Sequence, residues 1–320
     1  MEEQQNLQSK HNYEKKYLHQ TLRIVGSLIA FSLFIWLLRK QDWPVIWVNM
    51  RQLPAWLWVV SLTLVVGGMM CNVLRWYILL RAQDVEIPFG GVMRTVFAGA
   101  FASNFLPSTI GGDAFRVISL LRYTPDRVLC VTSVIVDRAI NVAATFTFLP
   151  FAWFTFGNRL FELLSGFKVM PIAAAGIPLW EKLSDYIRHS IKRIAEMFSR
   201  WRRNPLSLLG AFTISWISIF VIYFAFWLIG KKLGMPVTLF QLAGVEFIIY
   251  VVTLLPVSFN GFGVREVIYT TLMIELGATP EQAAALTLIS RVLLLLTTAP
   301  GALWISEIVR FQKEEDRSDR

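Results

Sequence analysis

The chain has 320 residues, of which 55% are apolar and 17% charged, with 24 phenylalanines and 12 tryptophans. Soluble domains carry about 25% charged residues, so this composition excludes an ordinary soluble enzyme and a disordered chain, and two cysteines exclude a disulfide scaffold. In a chain this apolar, the net charge of +9 points to cytoplasmic loops and anionic lipid, not to nucleic acid.

Residues 1–20 are polar. Residues 24–38 are apolar, with Lys15, Lys16 and Arg23 before them and Arg39 and Lys40 after. No small-x-small cleavage site follows, so the segment reads as a first membrane helix and not a signal peptide. It is short for a span, and Arg23 and Arg39 would snorkel to the interface. Residues 55–74 run without a charge, long enough to cross a ~30 Å hydrocarbon core, and Pro54 suits the first turn. Arg75 and Arg94 flank spans and are expected at the interface. Residues 95–112 are uncharged but broken by Pro107, Gly111 and Gly112. Residues 128–158 are apolar except for Asp137 and Arg138.

Residues 157–205 differ. They hold nine Lys/Arg and four Asp/Glu, a net of +5. Within them Leu183, Ile187, Ile191, Ile194, Phe198 and Trp201 recur at helical spacing among basic residues. This pattern predicts a basic amphipathic helix, lying on the membrane surface or connecting two bundles, on the cytoplasmic side. Residues 206–230 are again uncharged. Residues 233–264 carry only Glu246 and break at Pro256, Gly261 and Gly263. Residues 282–306 carry only Arg291, with Pro300 and Gly301 near the end. Trp43, Trp47, Trp56, Trp58, Trp180, Trp201 and Trp304 fall near span ends, as an aromatic belt places them.

The fold class expected is an all-α polytopic membrane protein. It has about seven spanning helices, with six to eight as the range, plus broken or re-entrant segments. Two halves, 21–156 and 206–309, flank the linker 157–205, with a polar N-terminal segment at 1–20 and a polar tail at 310–320. The halves resemble each other. Pro107 precedes Arg116 by nine residues, as Pro256 precedes Arg265, and Gly112 and Gly261 each fall five after the proline. A further arginine follows each, Arg138 at 22 after Arg116 and Arg291 at 26 after Arg265. With a cytoplasmic N-terminus and three crossings per half, the halves are inverted repeats. Re-entry of either broken segment would change that count.

Proline and glycine inside an apolar segment free backbone groups that lipid cannot satisfy. Residues 104–116 and 254–266 are therefore expected to line a polar cavity. Helix N-termini after each break would favour an anion, and an arginine one turn in adds a full charge. Gly111, Gly112, Gly261 and Gly263 allow close backbone approach. Asn104, Ser108, Thr109 and Asn260 offer neutral hydrogen bonds, and arginine suits a phosphate. Asp113, Arg116, Asp137, Arg138, Glu246, Arg265, Glu266 and Arg291 are expected at or near membrane depth, where each charge costs about 2.5–3.5 kcal/mol. The competing reading is ion pairs that only hold helices together. No catalytic residue, metal ligand or cofactor is assigned. The three histidines, His11, His19 and His189, lie in polar flanks, and no nucleotide-binding, zinc or nucleophile-elbow motif occurs.

The run from Asn104 to Arg116, then Asp137 and Arg138, then Leu255 to Glu266, and finally Arg291, resembles the lysylphosphatidylglycerol synthase transmembrane region family, also described as flippase-like. That family includes the membrane domain of the bacterial multiple peptide resistance factor. The resemblance runs from about residue 20 to 310. It implies a multi-pass protein of the bacterial cytoplasmic membrane that moves a lipid between leaflets. The aminoacyl-transfer domain of bifunctional members is expected to be missing, which leaves the lipid open.

The function expected is therefore translocation of an anionic phospholipid or lipid-linked phosphate. Arg116, Arg138, Arg265 and Arg291 would hold the phosphate, and Asp113, Asp137, Glu246 and Glu266 would orient them or bind a cationic headgroup or proton. The alternatives are an embedded transferase acting on a lipid-linked substrate and a non-transporting scaffold for a lipid synthase. Membrane lipids are the expected partners, with a separate synthase or a second copy of the chain as protein partners.

Overall fold

The computed structural model describes Pro44, Val48, Arg51, Trp201 and residues 53–105, 109–157, 204–254 and 264–304. The polar ends, the first apolar segment and most of the basic linker lie outside them. Among the described residues the chain is helical, without strands. In chain order the helices are α1 (Ala55–Arg81), α2 (Phe89–Phe105), α3 (Thr109–Leu120), α4 (Arg127–Phe146), α5 (Leu149–Phe156), α6 (Pro205–Lys232), α7 (Leu239–Leu254), α8 (Val264–Glu275) and α9 (Pro280–Thr298), followed by a 3₁₀ turn at Ala299–Gly301. Four stretches are long and apolar enough to cross a membrane: Ala55–Arg81, Arg127–Phe156, Pro205–Lys232 and Pro280–Trp304. Val59, Phe154, Leu206 and Leu303 stay exposed on them, as side chains that face lipid do.

The order long helix, short helix, break, short helix, long helix occurs twice. Lengths match pair by pair: 27 and 28 residues for α1 and α6, 17 and 16 for α2 and α7, 12 and 12 for α3 and α8, 20 and 19 for α4 and α9. The turns match as well. After α1, Asp84 takes φ 57°, and Val85 N–H bonds back to Leu80 O; after α6, Gly234 takes φ 81°, and Met235 N–H bonds back to Gly230 O. Both are the left-handed C-terminal closure that satisfies orphan carbonyls. The N-caps of α4 and α9 also correspond. Asp126 accepts from Val128 and Leu129 N–H, and Thr279 forms a capping box with Gln282.

Equivalent helices run in opposite directions. Along the α1–α6 interface Gly68 and Asn72 meet Ser218, Arg75 meets Ser215, and Ala82 meets Asn204. One partner's number falls as the other's rises, so α1 and α6 are antiparallel. The two repeats are therefore inverted.

The broken segments do not cross. In the first, Gly99 packs on Gly112 near the break, and Gly91 at the start of α2 packs on Tyr123 just past α3. That is a helical hairpin whose two ends share one end of the bundle. In the second, Gly277, just past α8, packs on Pro236, just before α7, so this hairpin opens at the opposite end. α4 and α5 run the length of the bundle, with Phe148 against Tyr223 and Phe151 against Phe240. Gly157 thus emerges at the end where α1 begins. Trp201 donates its indole N–H to Leu79 O at the other end. Gly157 and Trp201, the described residues on either side of the basic linker, thus lie at opposite ends of the bundle. Trp201 is fully buried there and takes no part in an aromatic belt.

Two apolar cores result. One, at the α1 C-terminal end, gathers Trp76, Leu79, Val85, Ile87, Leu120 and Trp201. The other, at the opposite end, gathers Leu57, Phe148, Phe226, Ile229, Met235 and Ile289.

Candidate functional site

Each hairpin carries charges into the interior of the bundle, and each meets charges from a long helix of its own repeat. In the first repeat the centre is Asp137 on α4, 1% exposed. Arg75 on α1 forks onto it, with Nε to Oδ1 at 2.6 Å and Nη2 to Oδ2 at 3.1 Å. Arg75 Nη1 also donates to Asn141 Oδ1 (2.8 Å) and Ser215 Oγ (3.1 Å). Arg116 on α3 donates Nη2 to the other face of the same carboxylate, Asp137 Oδ2, at 2.9 Å. Its guanidinium lies 4.2 Å from the Trp76 ring centroid, a cation–π contact. Arg138, the next residue on α4, pairs with Asp113 on α3, Nε to Oδ2 at 2.9 Å. Three arginines and two aspartates give this cluster a net charge of +1.

Arg75 corrects the sequence reading. It is 5% exposed and belongs inside the bundle, not at an interface. Helix α1 continues six residues past it, through Trp76, Leu79 and Leu80, all fully buried. The signal was present: an apolar run resumes directly after the charge. Arg94 is exposed.

In the second repeat Glu246 on α7 is 5% exposed, and its Oε2 lies 3.7 Å from Arg265 Nη2 on α8, a loose ion pair. Tyr269, one helical turn beyond Arg265, lies beside the same carboxyl. Tyr223 of α6 and Tyr250 of α7 lie in the same electrostatic environment. Glu246 Oε1 and the Tyr269 hydroxyl are both buried and complete no hydrogen bond. Glu266 is 3% exposed, and Arg291 on α9 feels its charge and that of Arg265. Two acids and two arginines leave this cluster neutral. Asn141 Nδ2 reaches the Tyr250 hydroxyl at 3.5 Å, joining the two clusters into one polar seam.

The helix caps fix a register that the proline spacing missed. Asp113 precedes the cap Asp126 by 13 residues, as Glu266 precedes Thr279, and Arg138 and Arg291 each follow their cap by 12. The acid–arginine pair of α3 and α4 thus recurs on α8 and α9. In this register the counterpart of Arg116 is Tyr269, not Arg265. Arg265 sits one turn earlier on the same face, which accounts for the four-residue mismatch in the sequence repeat.

The remaining candidates divide. Asn104 donates to Thr298 Oγ1 at 2.9 Å, tying the tip of α2 to the end of α9. Gly112 is a packing residue, since a Cβ there would collide with the Gly99 carbonyl and Ser103. Gly111 is half-buried next to it. Ser108, Asn260, Gly261 and Gly263 lie outside the described residues. Asn141, Ser215, Tyr223, Tyr250 and Tyr269 were missed, because isolated polar residues in apolar helices carry no local signal until a partner helix is in place.

The lysylphosphatidylglycerol synthase TM region matches residues 23–301 of this chain, which includes both hairpins and every described residue of the polar seam. The UPF0104 membrane protein PH1989 of Pyrococcus horikoshii is 22% identical over 261 residues, covering 68% of this chain and 77% of that protein. With its apolar spans and this match over most of its length, the chain is a multi-pass membrane protein and belongs to the lysylphosphatidylglycerol synthase transmembrane-region family.

Proposed function

We propose that the protein moves an anionic, phosphate-bearing lipid between leaflets, passing its headgroup along the polar seam. The carrying observation is the placement of the two clusters. Asp137 lies ten residues into α4 and Glu246 seven into α7. At 1.5 Å per residue these are roughly 15 Å and 10 Å from opposite ends of the bundle. Two charged stations at similar depth from opposite faces, bridged by Asn141 and Tyr250, suit a headgroup handed from one leaflet to the other across a ~30 Å core. Each hairpin opens toward its own face, an arrangement in keeping with transporters built on inverted repeats.

The arginines differ in availability. Arg75 and Arg116 are committed to Asp137. Arg138 has 43% of its side chain exposed, and Arg265 has 21% with only the loose contact to Glu246. These two are the phosphate ligands, one per station, and the excess positive charge of the first cluster favours an anion there. Arg81, Arg94, Arg122 and Arg127 are exposed at the end of the bundle that holds Trp201, and Arg200, Arg202 and Arg203 adjoin that tryptophan in sequence. The positive-inside rule turns this end to the cytoplasm.

Reconstituted vesicles with fluorescent phosphatidylglycerol, read by dithionite quenching, test the reading. Wild-type protein should speed exchange between leaflets, and Arg138→Ala and Arg265→Ala should each slow it at least tenfold while remaining folded. Exchange by both variants at the wild-type rate would refute the assignment.

A further inference from the structure

We propose that the second station binds its phosphate headgroup together with a proton, and that Glu246 is the proton acceptor. The inference rests on the lipid reading above and adds what that site must do chemically. The two stations differ in charge and in saturation. Asp137 has two arginines on its oxygens, and Arg75 has Asn141 and Ser215 as well, so the first centre is closed. Glu246 has one arginine at 3.7 Å and a second oxygen, Oε1, that is buried and hydrogen-bonds to nothing.

The groups facing Glu246 are few. Helix α8 contributes Arg265 and Tyr269, α6 contributes Tyr223, and Tyr250 lies one turn along α7. Helix α5 brings only Phe151 and Ala152 against Gly244. Arg265 is therefore the one cation among the described residues facing this carboxylate. A phosphate that engages Arg265 takes that cation away. Glu246 would then be a buried carboxylate beside a second anion, an arrangement that costs several kcal/mol in a low-dielectric interior. Uptake of one proton from the aqueous phase converts the carboxylate to the acid. Arg265 stays protonated, and the phosphodiester keeps its charge. The neutral acid gains a donor, which the free Tyr269 hydroxyl beside it can accept. The station is neutral when empty and neutral when it holds phosphate and proton, as buried sites require. The first cluster, at +1 when empty, reaches neutrality with the anion alone.

Calorimetry on detergent-solubilised protein with a short-chain phosphatidylglycerol, repeated in buffers of different ionisation enthalpy, counts the protons. Wild type is expected to take up close to one proton per protein at saturation, because the second station takes a proton with its lipid and the first does not. The apparent Kd of the second station should weaken as pH rises, by up to about tenfold per pH unit for one linked proton. Glu246→Gln should bind the same lipid with no proton uptake and a flat pH dependence. Lipid binding by wild type with no proton uptake would overturn the inference and leave the lipid reading intact. Proton uptake by Glu246→Gln equal to wild type would overturn the assignment to this residue. No lipid binding by wild type would sink the lipid reading and the inference with it. The wild-type count decides the matter even if the variant does not fold.

Discussion

Arg75 and Asp137 carry the largest single consequences for stability. Both are buried, and their forked pair joins α1, α4 and, through Ser215, α6. Removing Asp137 leaves Arg75 without a counter-charge in the interior, at a cost of about 3–5 kcal/mol, whereas removing Arg75 strips the fork but leaves Asp137 paired with Arg116. Arg75→Ala and Asp137→Asn should each lower the thermal midpoint of the purified protein strongly. The double variant should lose less than the sum of the two, because the guanidinium that Asp137→Asn orphans is then gone, and Arg116 keeps its longer contact to Asp113. Equal, additive losses would mean that the pair is not the interaction that matters. Glu246, by contrast, is weakly held, and Glu246→Gln should leave the midpoint close to wild type. The closed centre at Asp137 fits the sequence reading of ion pairs that hold helices together, and the looser pair at Glu246 fits the ligand reading proposed above.

At the scale of elements, the hairpins depend on close backbone contact. Gly112 of α3 faces Gly99 of α2 with no room for a side chain. Gly112→Ala should force α2 and α3 apart and cost about 1–3 kcal/mol, measured as a drop in thermal midpoint with reduced lipid exchange. Gly67 on α1 makes the control, since a Cβ there meets nothing. Gly67→Ala should be neutral or stabilising by up to about 1 kcal/mol through helix propensity. The glycines of the first break were read from sequence as a cradle for phosphate, and Gly112 proves instead to be a helix contact. The residue type signalled close approach. What approaches is another helix, and only the packing reveals that.

At the scale of the whole molecule, the two hairpins open at opposite ends. Glu86, before the first hairpin, and Glu275, at the end of the second, are both exposed and lie on opposite sides of the bundle. In a background with Cys71 and Cys130 replaced, Glu86→Cys and Glu275→Cys should differ in labelling by a membrane-impermeant maleimide in intact cells. Glu275→Cys should react, and Glu86→Cys only after permeabilisation. Labelling of both from outside would refute the inverted arrangement. Labelling of Glu86→Cys alone would keep it but reverse the orientation.

Composition and the uncharged runs were enough to establish an all-helical membrane protein, and the long helices α1 and α6 begin within a residue of where those runs begin. The breaks at Pro107 and Pro256 and the charges beside them were legible too, because lipid tolerates neither without a protein partner. Whether a broken segment crosses or turns back was not legible, since hydropathy is the same for both. Contacts between Gly99 and Gly112 and between Pro236 and Gly277 decide it. Nor could sequence assign partners to the charges. Arg75 and Asp137 are 62 residues apart and meet only because α1 and α4 pack side by side. The cost of burying a charge is written in the residue itself, whereas its compensation depends on which helix lies opposite, and that is a property of the tertiary structure.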